Sequence, residues 1–238
     1  MQSQSYKYAI STKNDGSMSY MWGDYEEVLE NRRKFIERAG FSFDRCITMK
    51  TSDGDTVLIV SKQDTGRGMI HIEEAFRADA LITSESDLSL FLVVADCVAT
   101  IFYDELNKVL CLAHLNGKNP KLINSVISKL REKYATNVAD LSVYMSPAIH
   151  KESFIVPDPF QRDSQEWKDY IVNLDEHLTS IDMIGFLREK IIEQGVNPNK
   201  IAISDTDTYC DTDYFSHRRS VTTGEPEGRF AMVAKMIK

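Results

Sequence analysis

Apolar and polar positions run along this chain in two rhythms. Residues 6–12, YKYAIST, read as an extended segment closed by the turn-forming KNDGS. Residues 25–40, YEEVLENRRKFIERAG, carry a helical period. Val28, Leu29, Phe35 and Ile36 supply its apolar face, acidic residues lead it, and Gly40 suits the C-terminal cap. CITMKTS and DTVLIVS are predicted strands on either side of Asp53-Gly54, a pair suited to a tight turn. RADALITSES reads as a short strand or turn. Residues 88–95, LSLFLVVA, are almost continuously apolar, the pattern of a strand covered on both faces. VATIFYD and KVLCLAHL repeat that pattern, with Glu105-Leu106-Asn107 as the loop between them.

NPKLINSVISKLREKYA is a helix with Pro120 near its start, and LSVYMSPAI returns as a strand, completing a strand–helix–strand unit. Helical patterns follow at 163–178 and 180–195, the second ending at Gly195. KIAISD and FAMVAKMIK are the last predicted strands. No linker or repeat interrupts the order. It predicts one compact α/β domain over residues 1–238, a mixed β-sheet flanked by helices.

Composition narrows the function classes. A chain of 238 residues can bury a sizeable core, and its net charge of -8 gives no support to a nucleic-acid partner, which needs clustered Lys and Arg. Cys46, Cys97, Cys111 and Cys210 form no C-x-x-C pair, so neither a zinc ribbon nor a thioredoxin-like motif is present. The start, MQSQSYKYAISTKNDGS, lacks a signal-peptide pattern, and no apolar run approaches the ~20 residues that span a bilayer. The expectation is a cytoplasmic protein with free thiols and no membrane partner.

Candidate chemistry concentrates in residues 90–118, LFLVVADCVATIFYDELNKVLCLAHLNGK, where two apolar runs end in Asp96-Cys97 and in His114. A charge at Asp96 is costly in an apolar segment unless it is paired or emerges at a cleft. Cys97 is either a functional thiol or a buried packing residue; with His114 one strand away, the pair suits a zinc site or a thiolate–imidazole nucleophile. Cys46 and Cys111 read as core, and His71, His150 and His177 as solvated. Near the C-terminus, Tyr214-Phe215-Ser216-His217-Arg218-Arg219 sets cations beside aromatics. Arginine forks there suit phosphate or carboxylate, or pair with the neighbouring acids.

Together these segments resemble the YfiH family, also labelled a laccase-domain or polyphenol oxidase family. The carriers are GDYEEVLENRRKF, ADALITSESDLSLFLVVADCVATIFYD, KVLCLAHL, MSPAI and the YFSHRR…GRFAMV ending, which matches Phe-Ser-x-Arg-Arg…Gly-Arg. The resemblance implies a single YfiH-like α/β domain and purine nucleoside phosphorylase activity with associated adenosine deamination. It also implies a zinc ion held by one cysteine and two histidines. Cys97 and His114 match two of those ligands; Asp53 stands where the other histidine would be, and carboxylate is an accepted zinc ligand. Lys118 takes the place of an arginine, and Arg218 and Arg219 match the paired arginines, so these three are expected to hold phosphate. Asp96 is expected to orient the cluster from behind. Two other readings are a metal-free hydrolase with Cys97 as nucleophile and His114 as base, and a non-catalytic nucleoside-binding or interaction module. Copper oxidation is disfavoured, because the chain lacks the His-rich ligand sets it needs.

Overall fold

The computed structural model describes residues 5–237; the first four residues of the chain and Lys238, at the end of the last predicted strand, lie outside the described residues. Two mixed sheets pack face to face, and helices cover their outer faces. The chain order is β1 (Tyr6–Ile10), α1 (Tyr25–Arg38), β2 (Cys46–Lys50), β3 (Val57–Ile59), β4 (Phe76–Arg77), β5 (Ala80–Thr83) and β6 (Ser89–Val94). There follow β7 (Val98–Asp104), β8 (Val109–Leu115), α2 (Lys121–Tyr134), β9 (Ser142–Met145), β10 (Ile155–Pro157), β11 (Ile171–Asn173) and β12 (Leu178–Ile181). The last elements are α3 (Met183–Glu193), β13 (Ile201–Ile203), α4 (His217–Thr223) and β14 (Phe230–Met236).

One sheet has the strand order β1-β14-β6-β2-β4, the other β13-β9-β7-β8-β5-β3, and a small third sheet has β10-β12-β11. The single expected sheet is thus divided, for a reason visible in the burial pattern. Leu90, Leu92 and Val94 of β6 face Ala99, Ile101 and Tyr103 of β7 across a common core, while Phe91 packs outward with Phe35 and Ile36 of α1. Val98, Phe102, Cys111 and Ala113 pack on the opposite side with Leu122, Val126 and Leu130 of α2. Strands covered on both faces read as unbroken apolar runs whichever sheet they join.

Two local expectations are corrected. Asp53-Gly54 does not close a hairpin: β2 pairs with β6 and β4, whereas β3 pairs with β5 in the other sheet, so the segment between them crosses from sheet to sheet. The helical pattern at 163–178 forms 3₁₀ turns at Phe160–Asp163 and Gln165–Tyr170, then β11 and a hairpin into β12. Ile171 and Val172 are β-branched, and the Asp175 carboxylate accepts from the backbone N–H groups of His177 (2.7 Å) and Leu178 (2.6 Å), a turn that competes with helix. Trp167 stays buried by stacking on Phe186 at a centroid distance of 3.7 Å. The second helix is shorter than its pattern because Asp182 caps it, accepting from Gly185 N at 2.8 Å. Among the described residues no helix is long and apolar enough to cross a membrane.

Candidate active site

Ala95, Asp96 and Cys97 form the corner where the chain leaves β6 of one sheet and enters β7 of the other. The corner needs a sharp reversal, and Asp96 supplies it with a φ of 72°, in the left-handed region that Asp tolerates better than most residues. Its buried side chain is paired on both oxygens. Oδ1 accepts from Thr208 Oγ1 at 2.7 Å, and Oδ2 accepts from Arg218 N at 2.6 Å. Its carbonyl accepts from Ile149 N at 3.1 Å. Asp96 therefore pins the start of α4 and the segment after β9 to the same corner that presents Cys97. Cys97 packs against the inter-sheet core, and His114, opposite Ala99 in the β7–β8 register, turns to that same face.

Asp53 reaches the site from a second crossing. Asp79, fully buried at the head of β5, accepts from Ser52 N at 2.8 Å and Ser52 Oγ at 3.0 Å, which shapes the turn. A Cβ at Gly54 would lie 2.9 Å from Asp79 Oδ2, so only glycine leaves room for that carboxylate. The turn aims Asp53 at the end of β8, where Oδ1 accepts from Asn116 Nδ2 at 2.8 Å and Oδ2 pairs with Lys118 Nζ at 2.9 Å. That pairing raises the Lys118 ammonium above its usual range. His114 Nδ1 lies 4.0 Å from Asp53 Oδ1 and has no hydrogen-bond partner among the described residues. The distance would make an ion pair only for a protonated ring. Burial dominates and holds the imidazole below its ordinary range, against the opposing pull of Asp53 and Asp79.

The sign of the resulting pH dependence follows. Below about pH 6.5 the unfolded chain binds a proton on His114 that the folded protein does not, so stability falls as pH drops through that region. The loss is at most about 1.4 kcal/mol per pH unit until the folded group itself titrates. Urea melts at pH 7.5 and 5.5 should therefore show His114→Gln losing less stability on acidification than the parent; an unchanged difference would contradict the buried neutral ring.

A cavity of about 510 Å³ opens over these residues, within the size range of small-ligand sites. Its polar lining is Asp53, Asp96, Cys97, Asn116, Lys118, His217 and Arg218. Apolar side chains also line it, Ile149, Phe154, Val156, Phe160, Ile181 and Met183, most of them contributed by the small third sheet and its flanking turns, and Arg218 lies over the Phe154 ring at 5.9 Å. Of the expected phosphate ligands, Lys118 and Arg218 line the cavity and Arg219 does not. Arg219 is 7% exposed and its guanidinium is spent on the fold, donating to Glu225 and to the carbonyls of Thr208, Tyr209, Asp211 and Tyr214. Arg218 keeps a buried Nε with no partner among the described residues. His150, expected to be solvated, has a buried and unpartnered Nε2 instead. Asp79, Asn116, Glu227 and the apolar lining escaped the sequence reading. The one available signal was Asp79, a lone charge in the apolar run ADALI.

The donors do not fit the expected three-ligand zinc site. Among the described residues no three His, Cys, Asp or Glu side chains are gathered so as to hold a metal ion. Both Asp53 oxygens are engaged, one of them by an ammonium that would repel a second cation. Nor is there a thiolate–imidazolium pair. Burial, with the charges of Asp96 and Asp53, pushes the Cys97 thiol up to about 12, and among the described residues no hydrogen bond joins it to His114.

The family described as multi-copper polyphenol oxidoreductase laccase matches residues 10–237. A purine nucleoside phosphorylase of Corynebacterium glutamicum is 25% identical over 211 residues, 86% of this chain and 81% of that protein. One of Rickettsia conorii is 27% identical over 192 residues, 76% and 78% of the two chains. Among solved structures, YlmD from Geobacillus stearothermophilus superposes with a TM-score of 0.90 at 23% identity, covering 99% and 93% of the two chains. The Bacillus licheniformis protein YfiH superposes at 0.89 and 22%, covering 97% and 92%. These two likenesses establish the α/β fold.

Proposed function

The chain belongs to the multi-copper polyphenol oxidoreductase laccase family, and we propose that it acts in the cavity as a purine nucleoside phosphorylase, cleaving the base from the sugar with inorganic phosphate. The observation that carries this reading is that one cavity holds Lys118 and Arg218 together with aromatic and aliphatic side chains, Arg218 lying 5.9 Å from the centre of the Phe154 ring. A nucleoside offers a flat apolar base at one end, and the attacking phosphate needs fixed positive charge at the other. Phe154 and Phe160 with their apolar neighbours take the base. Lys118 and Arg218 take the phosphate, Lys118 as a point charge held by Asp53 and Arg218 as a fork.

Asp96 fixes how these groups sit relative to one another, since it joins the Cys97 corner to the backbone of Arg218 and, through its carbonyl, to Ile149 of the apolar lining. Holding phosphate and sugar in line replaces a bimolecular encounter by a positioned one, which is a large part of what such a site can contribute. Cys97 serves as an uncharged thiol in the polar lining. Zinc, implied by the resemblance, carries no step here, because the donors present do not fit it. Adenosine deamination belongs to the same proposal as a second activity.

The test is incubation of the purified protein with inosine, guanosine or adenosine and inorganic phosphate, with and without a chelator. The expected result is release of free base and sugar 1-phosphate that requires phosphate and survives the chelator. Ammonia release from adenosine reports deamination. Nucleoside binding without turnover would point to the binding-module reading, and loss of activity on chelation would restore the zinc dependence. Rapid alkylation of Cys97 ahead of the exposed Cys210 would favour the cysteine hydrolase instead.

A further inference from the structure

We propose that His217 is the general acid of this reaction, protonating the purine as its bond to the sugar breaks; the role rests on the phosphorolysis reading above. His217 is the first residue of α4 and lines the cavity next to Arg218. It occupies the unspecified position of the Phe-Ser-x-Arg-Arg ending.

Its surroundings fit a proton donor. Nδ1 lies 2.9 Å from Glu227 Oε1, and a carboxylate acceptor makes Nδ1 the hydrogen-bearing nitrogen of that contact. The ring is thereby oriented, and Nε2, which has no hydrogen-bond partner among the described residues, is left to exchange a proton with a bound molecule. The two side chains divide the task by depth: Glu227 is 13% exposed, whereas His217 is 55% exposed at the cavity rim. Glu227 is itself braced. Burial pushes its carboxyl up, but hydrogen bonds from Arg229, His217 and Ser220 outweigh burial and keep it below the usual carboxylate range. Arg229 donates to the same Oε1 at 2.5 Å and to Gly228 O at 2.6 Å. The other imidazole of the region, His114, is buried and does not line the cavity.

The step balances without a further reactant. An oxygen of inorganic phosphate forms a bond to C1′ while the C1′–N9 bond breaks and its electron pair passes into the purine. The Nε2 proton of the protonated imidazole moves to N7, so the base departs neutral. The imidazole then recovers a proton from water. Such proton transfer contributes on the order of 10²–10⁴ in rate.

The experiment compares inosine with 7-methylguanosine, whose N7 methyl group already supplies the positive charge that protonation would. His217→Gln should lower kcat on inosine by on the order of 100-fold and leave kcat on 7-methylguanosine nearly unchanged. Glu227→Gln should move both in the same directions by less, with thermal melts confirming that both variants are folded. Equal loss on the two nucleosides, or unchanged turnover of inosine, would overturn the role of His217 while leaving phosphorolysis standing. A parent protein that releases base from neither nucleoside would overturn both.

Discussion

Asp96→Ala is expected to lower kcat/KM for the nucleoside by about 100-fold or more, the scale set by a displacement of about 1 Å in a positioned site. The substitution removes the acceptor of Thr208 Oγ1 and of Arg218 N, two buried bonds that tie α4 to the β6–β7 corner. Each bond to a charged acceptor contributes about 1.5–3 kcal/mol, so folding stability should also fall, by about 3 kcal/mol. For a chain of this size that lowers Tm by roughly 6–12 °C. Alanine is in addition less at ease than aspartate at a φ of 72°. Asp96→Asn separates the two effects: it tolerates the backbone and keeps one acceptor, so it should retain more of the stability than of the activity. Steady-state kinetics and thermal melts on the two variants measure this. A folded Asp96→Ala protein with full turnover would refute the positioning role.

Arg219→Met should cost more stability and show its effect first in folding. Five hydrogen bonds from one guanidinium gather the carbonyls of Thr208, Tyr209, Asp211 and Tyr214 and the carboxylate of Glu225 around the start of α4. Methionine fills similar volume but donates nothing, leaving those acceptors and the Glu225 charge without their partner, at a cost of about 3–5 kcal/mol. Arg219→Lys should recover little, since an ammonium cannot span that fork of acceptors. Arg218→Met should behave oppositely, with a small change in melting and a raised KM for phosphate. Because Thr208 contacts both Asp96 and Arg219, the double variant should lose less than the sum of the single losses. Melting of Arg219→Met at the temperature of the parent would show that the buried guanidinium is not structural.

The two adjacent arginines show where reading the sequence stops. Both are long cations in one helical turn, and nothing local distinguishes them. The next turn of backbone to fold over Arg219, residues 208–214, decides that it is the buried one. Asp53 is a similar case. Its place before Gly54 suits a turn, and the turn exists, but its partners Asn116 and Lys118 lie more than sixty positions away in the chain.

What the sequence determined by itself was the set of apolar runs, and hence most strands, α1, α2 and the α/β class, together with Cys97 and His114 as ends of neighbouring strands. Those features follow from the period of burial, which each segment carries in its own residues. The tertiary structure alone decided which sheet each strand joined, that residues 163–178 would form turns and a hairpin edge, and that apolar side chains would share a cavity with Lys118 and Arg218. It also decided that Asp53 would hold the Lys118 ammonium. The physical reason is that an apolar run records that a face is covered, but not by what; a charge records that it needs a partner, but not which one.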